Sequence, residues 1–200
     1  MKLKTLILLP FLLLSSLWSF APEYFNQLAI QEERQTVDVV PYLELEKGGV
    51  VADLGAGGGY FSLKLAKEVG EKGIVYAVDI DKKSIEYIKN YAKSEGVDNV
   101  KVVLAKNDDA RLPKDSLDLI FIRNTYHHLP SRVAYFKNLA DSLKPKGKIA
   151  IIDYLPEKTN YAGHSSDVDM IIDEMKKAGF VLYKQYDKLK RQSFLIFSKK

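Results

Sequence analysis

Five apolar runs rich in Val, Ile and Leu recur along the chain, at 50–54, 74–79, 100–105, 117–122 and 148–153, and polar or amphipathic sequence follows each one. Near-continuous Val/Ile/Leu character of this length suits strands covered on both faces, as in a parallel sheet. Between the runs, apolar residues recur at helical spacing. One stripe is Phe61, Leu65 and Val69, and a second begins at Ile85 and Ile88, opened by Asp81 as N-cap and closed near Gly96. Ser131 caps a third, with Val133, Phe136, Leu139 and Leu143 inward and "KPKG" as its stop. A fourth carries Val168, Ile171, Ile172, Met175 and Ala178 and ends at Gly179. Alternating strand and helix predicts an α/β fold: a doubly wound, mostly parallel sheet with helices on both faces and ligands beyond the carboxyl ends of its strands. The final segment, "VLYKQYDKLKRQSFLIFSK", holds two strand-like runs with only a polar turn between them, which predicts an antiparallel pair at a sheet edge.

The chain has 200 residues, enough for one domain with a substantial core. Its formal charge is +4, or +2 without Lys2 and Lys4, too small an excess to argue for nucleic acid as a partner. It has no cysteine, which removes disulfides, thiolate nucleophiles and cysteine-based zinc sites. The three histidines, 127, 128 and 164, do not fall in metal-motif spacing, so nothing in the sequence requires a metal.

The start of the chain reads as a leader. Lys2 and Lys4 precede an apolar run from Thr5 to Phe20. As a helix the run would span ~24 Å, less than the ~30 Å of a hydrocarbon core, and Pro10 interrupts it. Residues 1–21 are therefore expected to act as a signal peptide or N-terminal membrane anchor, followed by a lead-in at 22–47 and the main domain at 48–200. The expected location is exported or membrane-tethered (periplasmic if the source is bacterial), with a cytoplasmic location left open.

The most informative stretch is "VVADLGAGGGYFS", Val50 to Ser62: a strand, an acid, then a glycine-rich turn into a helix. Such a turn brings backbone close to a ligand. The dinucleotide spacing GxGxxG fails, because Tyr60 or Ser62 stands where the last glycine belongs, and no Gly-Lys-Ser/Thr follows for a phosphate loop. Asp53 at the strand end would repel a pyrophosphate and suits a cationic, hydrogen-bond-donating ligand such as S-adenosylmethionine. Asp79 ends the second strand and is placed to accept from two ribose hydroxyls.

Together with "LKLAKEVGEKGIVYAVDIDKKSIEYI", "NDDARLPKDSLDLIFIRNTYHHLP", "SLKPKGKIAIIDY" and the C-terminal segment, this stretch resembles the class I, Rossmann-like S-adenosylmethionine-dependent methyltransferases, over roughly 48–200 and in that family's motif order. The resemblance implies a seven-stranded sheet with a reversed last strand and S-adenosyl-L-methionine as cofactor. It also implies that Asp53, Gly55, Ala56, Gly57 and Gly59 line the methionine end, that Asp79 holds the ribose and Ile80 packs on the adenine, and that Asp109 and Ala110 meet the adenine edge. Asn124 is a further candidate for cofactor contact.

Tyr126, His127 and His128 follow the fourth strand, where an acceptor would meet the methyl group, and a neutral imidazole there can orient or deprotonate it. The plainer alternative is that one histidine caps a turn and the other packs. His164 and Asp153 are lesser candidates. The resemblance implies a methyltransferase whose acceptor is unidentified, small or lipid-like, and no nucleic acid is expected. Two rivals remain open: a cofactor-binding protein without turnover, and a membrane-surface factor using Lys188, Lys190, Arg191, Lys199 and Lys200. The oligomeric state cannot be read from the sequence.

Overall fold

The computed structural model describes residues 21–158 and 163–200. The expected leader, apart from Ala21, lies outside them. Among the described residues no helix is long and apolar enough to cross a membrane.

The chain enters through helix α1 (Pro22–Gln35) and a 3₁₀ turn at Val40–Leu43. It then alternates: β1 (Val50–Leu54), α2 (Tyr60–Val69), β2 (Ile74–Asp79), α3 (Lys82–Ser94), β3 (Val100–Leu104), β4 (Leu117–Arg123), α4 (Arg132–Leu139), β5 (Leu143–Tyr154), α5 (Val168–Lys177), β6 (Phe180–Gln185) and β7 (Gln192–Lys199). The seven strands form one sheet in the order β3-β2-β1-β4-β5-β7-β6. The first five are parallel, while β7 runs antiparallel to both β5 and β6. The expected C-terminal pair is present, with β6 outermost and β7 buried inside the sheet.

Alternation along the central strands divides the core in two. Val51, Leu119, Phe121, Ile152 and Phe194 face α2, α3 and the 3₁₀ turn. Ala52, Ile120, Ile122, Ile151 and Phe197 face α4 and α5. A strand buried on both sides is apolar on both, which is why β4 reads Leu119, Ile120, Phe121 and Ile122 without a break, its charges Asp118 and Arg123 lying toward its two ends. Asp81 caps α3 as expected, accepting from the N–H groups of Lys83 and Ser84, and Asp167 does the same for α5.

Two expectations fail near the third stripe. Ser131 takes a left-handed conformation (φ 42°) and makes no side-chain cap, and α4 ends at Leu139. Leu143 and "KPKG" belong to β5: Leu143 pairs with Leu117, and regular pairing resumes at Lys148 opposite Leu119. An irregular strand start tolerates Pro145, which a regular ladder would not. The basic C-terminal residues are partly engaged, Lys199 donating to the Leu143 carbonyl and Arg191 to that of Lys158.

The two-faced core gives a test. Phe121→Ala should cost about 3–5 kcal/mol of unfolding free energy with an unchanged denaturant slope, whereas Leu182→Ala on the exposed face of β6 should cost less than about 0.5 kcal/mol. Similar losses from both, measured by urea unfolding, would contradict this layering.

Candidate active site at the carboxyl edge of the sheet

The chain winds away from β1 in opposite senses, to β2 on one side and β4 on the other. The crevice between the loops after β1 and β4 is therefore the switch point, where open α/β sheets bind ligands. After Leu54 the N–H groups of Gly55 and Ala56 donate to the Val78 carbonyl, at 2.9 and 3.0 Å. Gly55 has φ 77°, and a Cβ there would stand 2.2 Å from Thr125 Oγ1, so the two loops touch at a point only glycine fits.

The Gly57 N–H donates to Asp79 Oδ2 at 2.8 Å, and the Asp81 N–H donates to Asp79 Oδ1 at 2.9 Å. The carboxylate that ends β2 therefore holds the glycine loop of β1. Each oxygen keeps a further lone pair for a ligand hydroxyl. Burial raises the pKa of Asp79 above the usual carboxylate value in spite of these donors. Beside it Ile80 is 61% exposed, an apolar side chain at the rim.

Asp53 is buried at the end of β1 and accepts from Ser62 Oγ, at 2.5 Å, in the first turn of α2. Burial, with the neighbouring Asp79 charge adding to it, pushes its pKa up to about 7. Asp109 lies exposed beyond β3, where its Oδ1 accepts from the Arg111 N–H at 2.8 Å, and Ala110 is buried.

The lead-in proves to be part of this site. Helix α1 crosses the glycine loop so closely that a Cβ on Gly58 would stand 2.2 Å from the Pro22 carbonyl. That glycine answers to the helix. Asn26 is buried and its Oδ1 accepts from the Tyr60 N–H at 3.0 Å, satisfying a donor that α2 cannot satisfy internally. Phe25 lies against Gly57. Further along, Glu32 accepts from Arg123 Nη2 (3.3 Å), Asn124 Nδ2 (3.2 Å) and the Tyr154 hydroxyl. Burial pushes Glu32 up and Arg123 down from their ordinary values, and each opposes that shift in the other. Asn124, at φ 52°, also accepts from Gln192.

The three histidines converge, although His164 is distant from the others in sequence. His127 and His128 form a 3₁₀ turn after β4, and His164 arrives just before α5. Ring centroids are 4.1 Å apart for 127–128, 5.4 Å for 127–164 and 5.1 Å for 128–164. His127 Nδ1 lies 2.8 Å from Asp153 Oδ1 at the end of β5, with side chains 4% and 0% exposed. A carboxylate only accepts, so this contact fixes the proton on Nδ1 and leaves Nε2 as the nitrogen for a ligand. Burial, and then the rings of His127 and His164, hold His128 below the usual imidazole value. Tyr126 stands apart from this group. It is fully buried, its ring stacks on Phe136 and its hydroxyl donates to Glu174 in α5.

Sequence reasoning missed Glu32, Asn26 and Arg123. For Asn26 and Glu32 the signal is a polar face on α1 turned inward, which apolar periodicity does not register, and for Arg123 it is a charge that closes the apolar run of β4.

Comparison with known proteins gives the family and the fold. A family model described as a methyltransferase domain matches residues 45–194. The methyltransferase GfsG of Streptomyces halstedii is 30% identical over 141 residues, covering 69% of this chain and 49% of that protein. The ubiquinone/menaquinone biosynthesis C-methyltransferase UbiE of Vibrio vulnificus is 29% identical over 108 residues, 54% of this chain and 42% of that protein. The chain thus spans about half the length, or less, of these curated relatives. A crystal structure of an S-adenosylmethionine-dependent methyltransferase from Aquifex aeolicus superposes with a TM-score of 0.81 at 26% identity, covering 89% of this chain and 98% of that one. The chain belongs to the methyltransferase domain family, with the class I fold whose cofactor is S-adenosylmethionine.

Proposed function

We propose that this protein transfers a methyl group from S-adenosylmethionine to a small or membrane-associated acceptor seated beside the histidines that follow β4. The observation carrying the reading is the acid-held glycine loop of β1 and β2 at the same sheet edge as the His127–Asp153 pair of β4 and β5. The relative from Vibrio vulnificus, named for ubiquinone and menaquinone biosynthesis, supports a small acceptor.

The cofactor supplies an electrophilic methyl on a sulfonium, so the protein's main task is to align donor and acceptor. In this reading Asp79 accepts from the ribose hydroxyls with the lone pairs that Gly57 and Asp81 leave unused. Ile80 covers one face of the adenine, and Asp109 with Ala110 meets its edge. Asp53 and the turn from Gly55 to Gly59 receive the cationic methionine end, with Asn124 beside them. His127, held by Asp153, and His128 orient the acceptor, while Tyr126 supports their turn from the core.

Calorimetry of the full-length chain tests the cofactor half. Asp79→Asn replaces an accepting oxygen with a donor and should weaken S-adenosylmethionine about 10- to 100-fold, from the loss of one or two hydrogen bonds to a charged group. An unchanged affinity in the folded variant would remove the assignment.

Asp53 gives a second test through pH. A cation nearby favours its ionised form, so binding below pH 7 expels a proton. Affinity should fall as pH is lowered from 8 to 5, by at most about tenfold per unit. The sign for folding is opposite. The folded pKa, about 7, lies above the ordinary 3.8, so the ligand-free fold holds a proton that the unfolded chain releases. Its contribution, on the order of a few kcal/mol, is full below about pH 4 and is lost as pH rises to about 7. Asp53→Asn should flatten both profiles, and profiles that persist in this variant would place the titration elsewhere.

A further inference from the structure

We infer that His127, His128 and His164 form a three-nitrogen site for a divalent transition-metal ion of the zinc type, with Asp153 as the carboxylate that orients His127. Each histidine offers a ring nitrogen, and these atoms lie within 4.8 Å of one another. Zinc binds imidazole nitrogen at ~2.0–2.1 Å, which in tetrahedral geometry puts nitrogens about 3.4 Å apart. The rings therefore need to close by about 1 Å or slightly more, within reach of side-chain rotation at two exposed positions, His128 and His164. Three neutral imidazoles are a donor set matched to zinc, cobalt or nickel, and they leave one position of a tetrahedron open to water or a ligand oxygen.

A separate observation points the same way. Histidines that bind metals usually give their other ring N–H to a carboxylate, and the His127 Nδ1–Asp153 Oδ1 contact is that arrangement at 2.8 Å. Asp153 is fully buried, and its Oδ2 has no hydrogen-bond partner among the described residues. A buried carboxylate with one satisfied oxygen is costly unless positive charge lies nearby. A dication on the far side of the His127 ring supplies that charge. A plain packing role for the histidines leaves this oxygen unexplained.

The inference deepens the acceptor side of the proposed function, but its test needs neither cofactor nor acceptor, so the two readings fail separately. The full-length chain, without a histidine tag, is titrated with Co²⁺ alone and read by visible absorption. Zn²⁺ is then measured by competition with a chromophoric chelator. One Co²⁺ per chain with the strong visible bands of a tetrahedral site is expected, displaced by one Zn²⁺. His164→Ala and His128→Ala alter exposed side chains and leave the core intact, and each should weaken Zn²⁺ at least about tenfold. Asp153→Asn should weaken it about 10- to 100-fold, the usual cost of losing an orienting partner. The inference is overturned if no tetrahedral Co²⁺ spectrum develops, or if Zn²⁺ affinity is the same in His164→Ala as in the unmodified chain.

Discussion

The carboxylate at the end of β2 grips a backbone N–H in the loop that ends β1, and the site is built outward from that bond. Asp79 takes the Gly57 N–H on one oxygen and the Asp81 N–H on the other. The first contact fixes the glycine turn, and the second fixes the entry to α3, whose own cap is Asp81. One side chain thus sets the geometry of two strand-to-helix junctions. Two N–H donors partly offset the cost of holding a charge there, although burial still raises the pKa. The two bonds shape the loop within the chain itself, and pre-organisation of this kind lowers the cost of binding.

Helix α1 completes the enclosure by polar contact. Its Asn26 holds the start of α2, its Glu33 takes Tyr60 and Lys64, and its Glu32 takes Arg123, Asn124 and Tyr154 from the far side of the crevice. The Arg123 guanidinium also lies over the Phe61 ring, 4.7 Å from its centroid, which ties the end of β4 to α2. These bonds join the loops after β1, β4 and β5 through one helix. A change in α1 would therefore reach both the glycine loop and the turn that carries the histidines.

The strands were legible because burial on both faces calls for apolar residues on both, and β4 with its Leu119, Ile120, Phe121 and Ile122 shows the effect plainly. The places of Asp53 and Asp79 in the fold were legible, Asp53 as an acid at a strand end just before glycines and Asp79 as the acid that ends the next strand. Helix α1 left no such trace, since the face it buries carries Asn26, Glu32 and Glu33 in place of an apolar stripe. The limit of α4 was misjudged because Leu143 continues the helical spacing by coincidence, while its side chain belongs to β5. The meeting of His164 with His127 and His128 depends on where the chain before α5 returns to the sheet edge, and no local spacing encodes that. Tyr126 sits beside the histidines in sequence, yet the 3₁₀ turn buries its ring and sends its hydroxyl to the half-buried Glu174 of α5.

The central claim is that one preformed edge presents a cofactor to the histidine face. A crystal structure of the full-length chain with S-adenosylhomocysteine tests it most directly. The account expects both ribose hydroxyls on Asp79, the Gly57–Asp79 bond retained, and the thioether sulfur directed toward His127 and His128. A nucleoside seated away from Asp79, or a sulfur turned from the histidines, would contradict it.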